Sequence, residues 1–141
     1  MKNLLFISVL IYTLFSCTKD DGFDIEQYPQ KWQLVKMTGQ MPNSETTGAD
    51  MEWQEFYLLN SDGSFTKSRE RSDLLTEVSG AFTFKDSSEG KFLMLSYESD
   101  NTIIGNCSSK PFESLWLKSE NKMMGTWLIC DGPGLEYKRV K

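Results

Sequence analysis

From Lys31 onward the chain alternates apolar and polar positions in short runs rich in β-branched and aromatic residues. Clusters of turn formers separate the runs, and no helix-period segment is longer than a turn or two. A period of two is the mark of half-buried strands. Pro29 stands just before the first run, where its missing N–H does no harm. Residues 31–37 (KWQLVKM) predict a first strand with Trp32 and Leu34 on one face. Residues 38–50 (TGQMPNSETTGAD) read as a polar loop, long enough for a lid or rim. Residues 51–59 predict a second strand, with Met51, Trp53, Tyr57 and Leu59 sharing a face. Asn60-Ser61-Asp62-Gly63 then predicts a hairpin turn, its glycine suited to positive φ, and residues 64–71 the returning strand.

Residues 72–76 read as a connector to a strand over 77–84, where Val78, Phe82 and Phe84 alternate with Glu77, Ser79 and Thr83. Further strands are expected over 91–98, 102–107, 112–118, 123–130 and 135–140, with turn chemistry between them. The expectation is an all-β antiparallel up-and-down meander. Such a meander removes its exposed edges by closing, which predicts a barrel of about 8–9 short strands.

The first residues follow a different pattern. Lys2 supplies a short positive segment, and residues 4–15 form an apolar run broken only by Ser8, Tyr12 and Thr13. The run is short of the roughly 20 apolar residues that a spanning helix needs, and it suits the core of a signal peptide. Leu14-Phe15-Ser16-Cys17 closes it and resembles the lipobox of bacterial lipoproteins. The resemblance implies cleavage before Cys17, a diacylglycerol on its sulfur and an acyl chain on the freed amine. The implied organisation is a signal peptide over 1–16, an acidic flexible tether over 17–28 and a folded domain over 29–141. Within the tether, Cys17-Thr18-Lys19-Asp20-Asp21 is similar to the lipoprotein export signal of one large group of Gram-negative bacteria. It implies an outer-membrane lipoprotein with Lys19, Asp20 and Asp21 as the signal, and it favours the cell surface over the periplasmic face.

Charge and composition narrow the chemistry. Removing residues 1–16 takes one of 15 basic residues and none of 20 acidic ones, so the mature charge is −6. That balance speaks against a nucleic-acid partner and against recruitment to anionic lipid by net charge, leaving the acyl chains as the link to the membrane. The chain has no histidine, which excludes Ser-His-Asp and Cys-His catalysis and histidine metal sites. With Cys17 acylated, Cys107 and Cys130 remain; lacking CxxC spacing in an oxidising compartment, they are expected to form a disulfide. No nucleophile elbow, phosphate loop or metal-ligand cluster appears. The expectation is a protein that is not an enzyme and holds no cofactor or metal.

Trp32-Gln33-Leu34-Val35, Leu59-Asn60-Ser61-Asp62-Gly63-Ser64-Phe65, Ser79-Gly80-Ala81-Phe82 and the closing Leu135-Glu136-Tyr137-Lys138-Arg139 resemble the small lipocalin-like lipoproteins. Lipocalins proper place a glycine two residues before the first-strand tryptophan; Gln30 stands there in this chain. The resemblance implies a lipocalin-like barrel that binds a small apolar or amphipathic ligand. Phe65, Lys67, Arg69 and Arg71 share one parity of their strand. If Phe65 faces the lumen, the cations follow it and an anionic head group could satisfy them, with Trp53 covering the apolar part. If the strand leaves the barrel, they are solvated and pair with neighbours such as Glu52 or Glu77. A second function stays open beside ligand binding: an interaction module of an envelope complex, or a barrel-type inhibitor of a hydrolase. An open cavity of a few hundred Å³ favours the binder, and a filled interior favours the module.

Overall fold

The computed structural model describes residues 26–141. The expected signal segment 1–16, the lipidation candidate Cys17 and the export residues Lys19, Asp20 and Asp21 lie outside the described residues. Nine strands follow in order: β1 (Gln30–Thr38), β2 (Glu45–Thr47), β3 (Gln54–Leu59), β4 (Ser64–Arg71), β5 (Leu74–Ser87), β6 (Gly90–Tyr97), β7 (Phe112–Ser119), β8 (Lys122–Gly125) and β9 (Gly134–Val140). β1 and β3 to β9 pair antiparallel in chain order, and β9 returns to β1, Lys31 facing Val140 and Thr38 facing Gly134. This is a closed eight-stranded up-and-down barrel. β2 is an extra strand beside the last residues of β1, Lys36 opposite Thr47 and Thr38 opposite Glu45.

The period of two sorts the side chains. Trp32, Leu34, Tyr57, Leu59, Phe65, Leu93, Leu95, Leu115, Met123, Leu135 and Tyr137 point inward and form one core. Burying each such side chain is worth roughly 1.5–3 kcal/mol. A bulge opposite β9, between Leu34 and Lys36, adds one residue to β1 and turns Met37 inward, out of step with Trp32 and Leu34. Two rims follow from the topology. The near rim carries the start of β1, the Asn60–Gly63 turn and the β5–β6 and β7–β8 hairpin tips. The far rim carries the loop 39–53, the turn at Ser72-Asp73, the loop 98–111 and the segment 126–133.

Four expectations need correction. Residues 38–50 are not all loop: Thr38 ends β1, Glu45–Thr47 form β2 against it, and Gly48–Asp50 make a 3-10 turn. Residues 102–107 are not a strand. Asn101 Oδ1 accepts the Ile103 N–H at 3.1 Å and the Asn101 carbonyl accepts that of Ile104 at 3.2 Å, so the backbone turns and Ile103 drops into the far mouth as a stopper. Residues 127–130 leave the sheet as a 3-10 turn, Trp127–Cys130, where Trp127 lies so close to Gly132 that any Cβ there would sit within 2.3–2.5 Å of the indole. Residues 72–76 are not a connector: Ser72 (φ 51°) and Asp73 (φ 62°) turn the chain in two left-handed residues, and β5 begins at Leu74. A turn of that kind usually announces itself by glycine; here serine and aspartate make it. By contrast, Gly63 carries the positive φ (84°) expected of the first hairpin.

Cys107 and Cys130 are disulfide-bonded, their Cα atoms 5.6 Å apart. The pairing matches the sequence expectation, but the bond does not join two strands: it ties the far-rim loop to the 3-10 turn. Closing a loop of separation 23 is worth roughly 3–3.5 kcal/mol in the chain-entropy account. Replacing both residues by serine should therefore lower the unfolding free energy in urea by about 3 kcal/mol. Two titratable thiols at these positions in the denatured, unreduced protein would contradict the bond.

Candidate functional site in the barrel lumen

The alternation of β4 carries charge into the core. Phe65, Lys67 and Arg69 all point inward, and the Lys67 side chain has no exposed surface. Burying an unpaired ammonium is prohibitive, so its partners must come from the lumen wall. They are Glu55, from the inward face of β3, and Glu113, from that of β7. Lys67 Nζ lies 3.0 and 3.2 Å from the two Glu113 carboxylate oxygens and 3.4 Å from Glu55 Oε1. One ammonium thus bridges two carboxylates from strands far apart in sequence.

Each carboxylate is held again from its other side. Arg69 Nε donates to Glu55 Oε2, and Arg69 Nη2 donates to the Ile103 carbonyl at 3.2 Å, joining the cluster to the far-rim stopper. The Tyr137 hydroxyl donates to Glu55 Oε1 at 2.5 Å, and the Tyr97 hydroxyl donates to Glu113 Oε2. Lys67 Nζ also stands 5.0 Å over the Tyr57 ring, which meets Tyr137 edge-on at 5.1 Å. Two cations face two carboxylates, so the cluster is internally neutral. Glu55 is 1% exposed and Glu113 2%, so neither is open to a molecule arriving from outside.

Burial, reinforced by the two carboxylates, raises the Tyr57, Tyr97 and Tyr137 phenols far above their ordinary range. Burial also works against the charge on Arg69, but Glu55 beside it more than offsets that and raises its pKa. Tyr97 and Tyr137 therefore act as fixed neutral donors, while the neutral Tyr57 hydroxyl is buried without a hydrogen-bond partner among the described residues.

The predicted site residues part company here. Lys67 and Arg69 lie in the lumen, as Phe65 does, but the chain's own carboxylates satisfy them. Arg71, the next in parity, is on the surface and pairs with Glu52. Trp53 is buried at the far mouth with the Arg69 guanidinium 4.3 Å from its ring and that of Arg71 5.7 Å away. It also lines an open cleft of about 700 Å³ with Met51, Glu52, Glu70 and Asp73. Gln30, at the position where lipocalins have glycine, is fully buried and accepts the Trp32 indole N–H at 3.0 Å. Among the described residues no group of three metal-ligating side chains converges.

Glu55 and Glu113 were missed as members of the site, although the signal was present. Glu55 shares its parity with Trp53, Tyr57 and Leu59, and Glu113 shares its own with Leu115. An acid on an apolar face asks for a buried cation.

The raised phenols have a pH consequence. An unfolded phenol titrates near 10. Below that pH both states are protonated and stability is unaffected; above it the unfolded chain loses protons that the folded one keeps, so stability falls as pH rises. Three phenols give a slope of roughly 4 kcal/mol per pH unit. Urea midpoints measured from pH 9 to pH 11 should drop steeply, with most tyrosinate absorbance appearing only on unfolding. Full tyrosinate absorbance in protein still folded at pH 11 would contradict the cluster. No family model, no curated protein and no solved structure matches the chain, so what this barrel does is read from its own residues.

Proposed function

We propose that the chain is a lipid-anchored envelope protein, not an enzyme, whose lipocalin-like barrel acts through its outer surface and rims rather than through a ligand held in its lumen. The observation that carries this reading is the filled interior. Trp32, Tyr57, Leu59, Leu93, Leu95, Leu115, Met123 and Tyr137 each have no exposed surface, so no water-sized space adjoins them. The lumen cations that could have met an anionic head group are already neutralised by Glu55 and Glu113. Ile103, buried in the far mouth, lends the reading further support. A binding lipocalin needs an open cavity, and a packed barrel serves as a rigid scaffold for loops.

The anchor rests on Leu14-Phe15-Ser16-Cys17 and the apolar run before it, and a cysteine pair joined in a disulfide suits an oxidising envelope compartment. Display on the cell surface of an outer membrane rests on Lys19-Asp20-Asp21 after the acylated cysteine. The partner under this reading is a protein of the same envelope, met by the far-rim loops.

Two readouts on one preparation test the proposal. Protein extracted from membranes should begin at Cys17 with added acyl mass, and Cys17→Ala should free it from the membrane. The same protein titrated with a fluorescent fatty acid should show no saturable binding. An unmodified chain starting at Met1 would overturn the anchor, and saturable binding weakened by Arg69→Ala would overturn the filled-lumen reading.

A further inference from the structure

The exterior of the barrel is not uniformly polar. Phe92, Trp116 and Met124 stand in register across β6, β7 and β8, Phe92 opposite Trp116 and Trp116 opposite Met124. They alternate with the inward Leu93, Leu115 and Met123, so they face out. The Phe92 and Trp116 rings stack with centroids 6.2 Å apart, and Trp116 is 37% exposed. Lys118 Nζ sits 3.0 Å over the Trp116 ring.

Lysines frame this strip. Lys85 on β5, Lys118 on β7, Lys122 on β8, Lys138 on β9 and Lys31 on β1 all project outward towards the near rim. Glu136 takes up Lys122 at 3.0 Å, and Asp86 takes up Lys91 at 3.7 Å. That leaves Lys31, Lys85, Lys118 and Lys138 against Asp62, Glu89 and Glu120 of the hairpin tips. The far rim has the opposite sign: Arg71 takes up Glu52, and Glu70, Asp73, Glu98 and Asp100 stand against Lys110. Strands of eight residues such as β4 separate the rims by roughly 20 Å after tilt, well beyond the Debye length of about 8 Å at physiological salt. A surface near one rim therefore feels that rim and not the net charge of −6.

We infer that this aromatic and lysine face is a membrane-contact surface, which lies on the phosphate-bearing head groups of the membrane holding the anchor and turns the acidic far rim outward. Tryptophan and lysine are the side chains that suit such a boundary, ring in the interface and ammonium on phosphate. The inference rests on the anchor proposed above. Only residues 18–29 separate Cys17 from β1, which starts at the near rim, so at full extension they reach about 40 Å. A lipid-held Cys17 thus keeps the near rim beside the bilayer at high effective concentration, where weak contacts suffice.

The test uses the acylated protein reconstituted in vesicles of phosphatidylcholine, alone or with one third phosphatidylglycerol, and a membrane-impermeant amine reagent read by mass spectrometry. On the anionic vesicles Lys85, Lys118 and Lys138 should label at least about threefold more slowly than on the neutral ones. Lys110, on the far-rim loop, should label equally on both, and 0.5 M salt should remove the protection. In the variant K118E/K138E the remaining reporter, Lys85, should lose it as well, with the protein unfolding at the same urea concentration. Equal labelling on both vesicles would overturn the inference. So would protection that persists on neutral vesicles and in salt, since the acidic tether rather than lipid would then cover the lysines. If the chain carries no acyl group, the anchor fails by itself; the surface then predicts co-sedimentation of the unanchored chain with anionic vesicles only, and its absence would overturn the inference.

Discussion

An ammonium group with no exposed surface must be neutralised from within, and that single requirement organises the interior of this barrel. Lys67 is held by Glu113 and Glu55, Glu55 by Arg69 and Tyr137, and Glu113 by Tyr97. The residues come from β3, β4, β6, β7 and β9, so the cluster forms only when the sheet has closed in the right register. A slip of one residue on β3, β4 or β7 would turn a charge out and leave its partner buried alone, and one on β6 or β9 would withdraw a phenol from its carboxylate. Replacing the whole cluster by packed apolar groups need cost little stability. What the charges add is a single permitted arrangement.

The cluster also decides what the lumen can do. Aromatic and aliphatic side chains fill the barrel around it, Gln30 caps the Trp32 indole at one end, and Ile103 closes the other while its carbonyl accepts Arg69. Gly105 is part of that closure: a Cβ there would meet Glu113 Oε1 and the Trp127 ring, each at 2.9 Å. With the inside committed to structure, the variable chemistry lies outside, on an acidic far rim tied by a disulfide and on an aromatic, lysine-bearing wall near the start of β1.

Much of this was legible in the alternation of the chain. Eight strands, their antiparallel order, the Asn60–Gly63 turn and the cysteine pair follow from period two, turn chemistry and redox context. Two of the segments that depart from the alternation share a cause. Residues 102–107 and 127–130 are apolar enough for strands, but Asn101 and the clash-free Gly132 let the backbone turn, and their side chains plug or cover an end rather than a face. The lumen site was half visible, because one strand shows three cations in step while their partners are single acids on strands distant in sequence. Parity alone places Glu55 and Glu113 inside; only the closed register shows that they meet the same lysine.

The most direct measurement is a double-mutant cycle between Lys67 and Glu113, with Lys67→Met, Glu113→Gln and the pair compared by urea unfolding. Each single change strands a buried group and should cost about 3 kcal/mol or more, while the double variant should lose far less than the sum, with a coupling of about 2 kcal/mol or more. Losses that simply add would contradict a shared buried ion pair at the centre of the barrel.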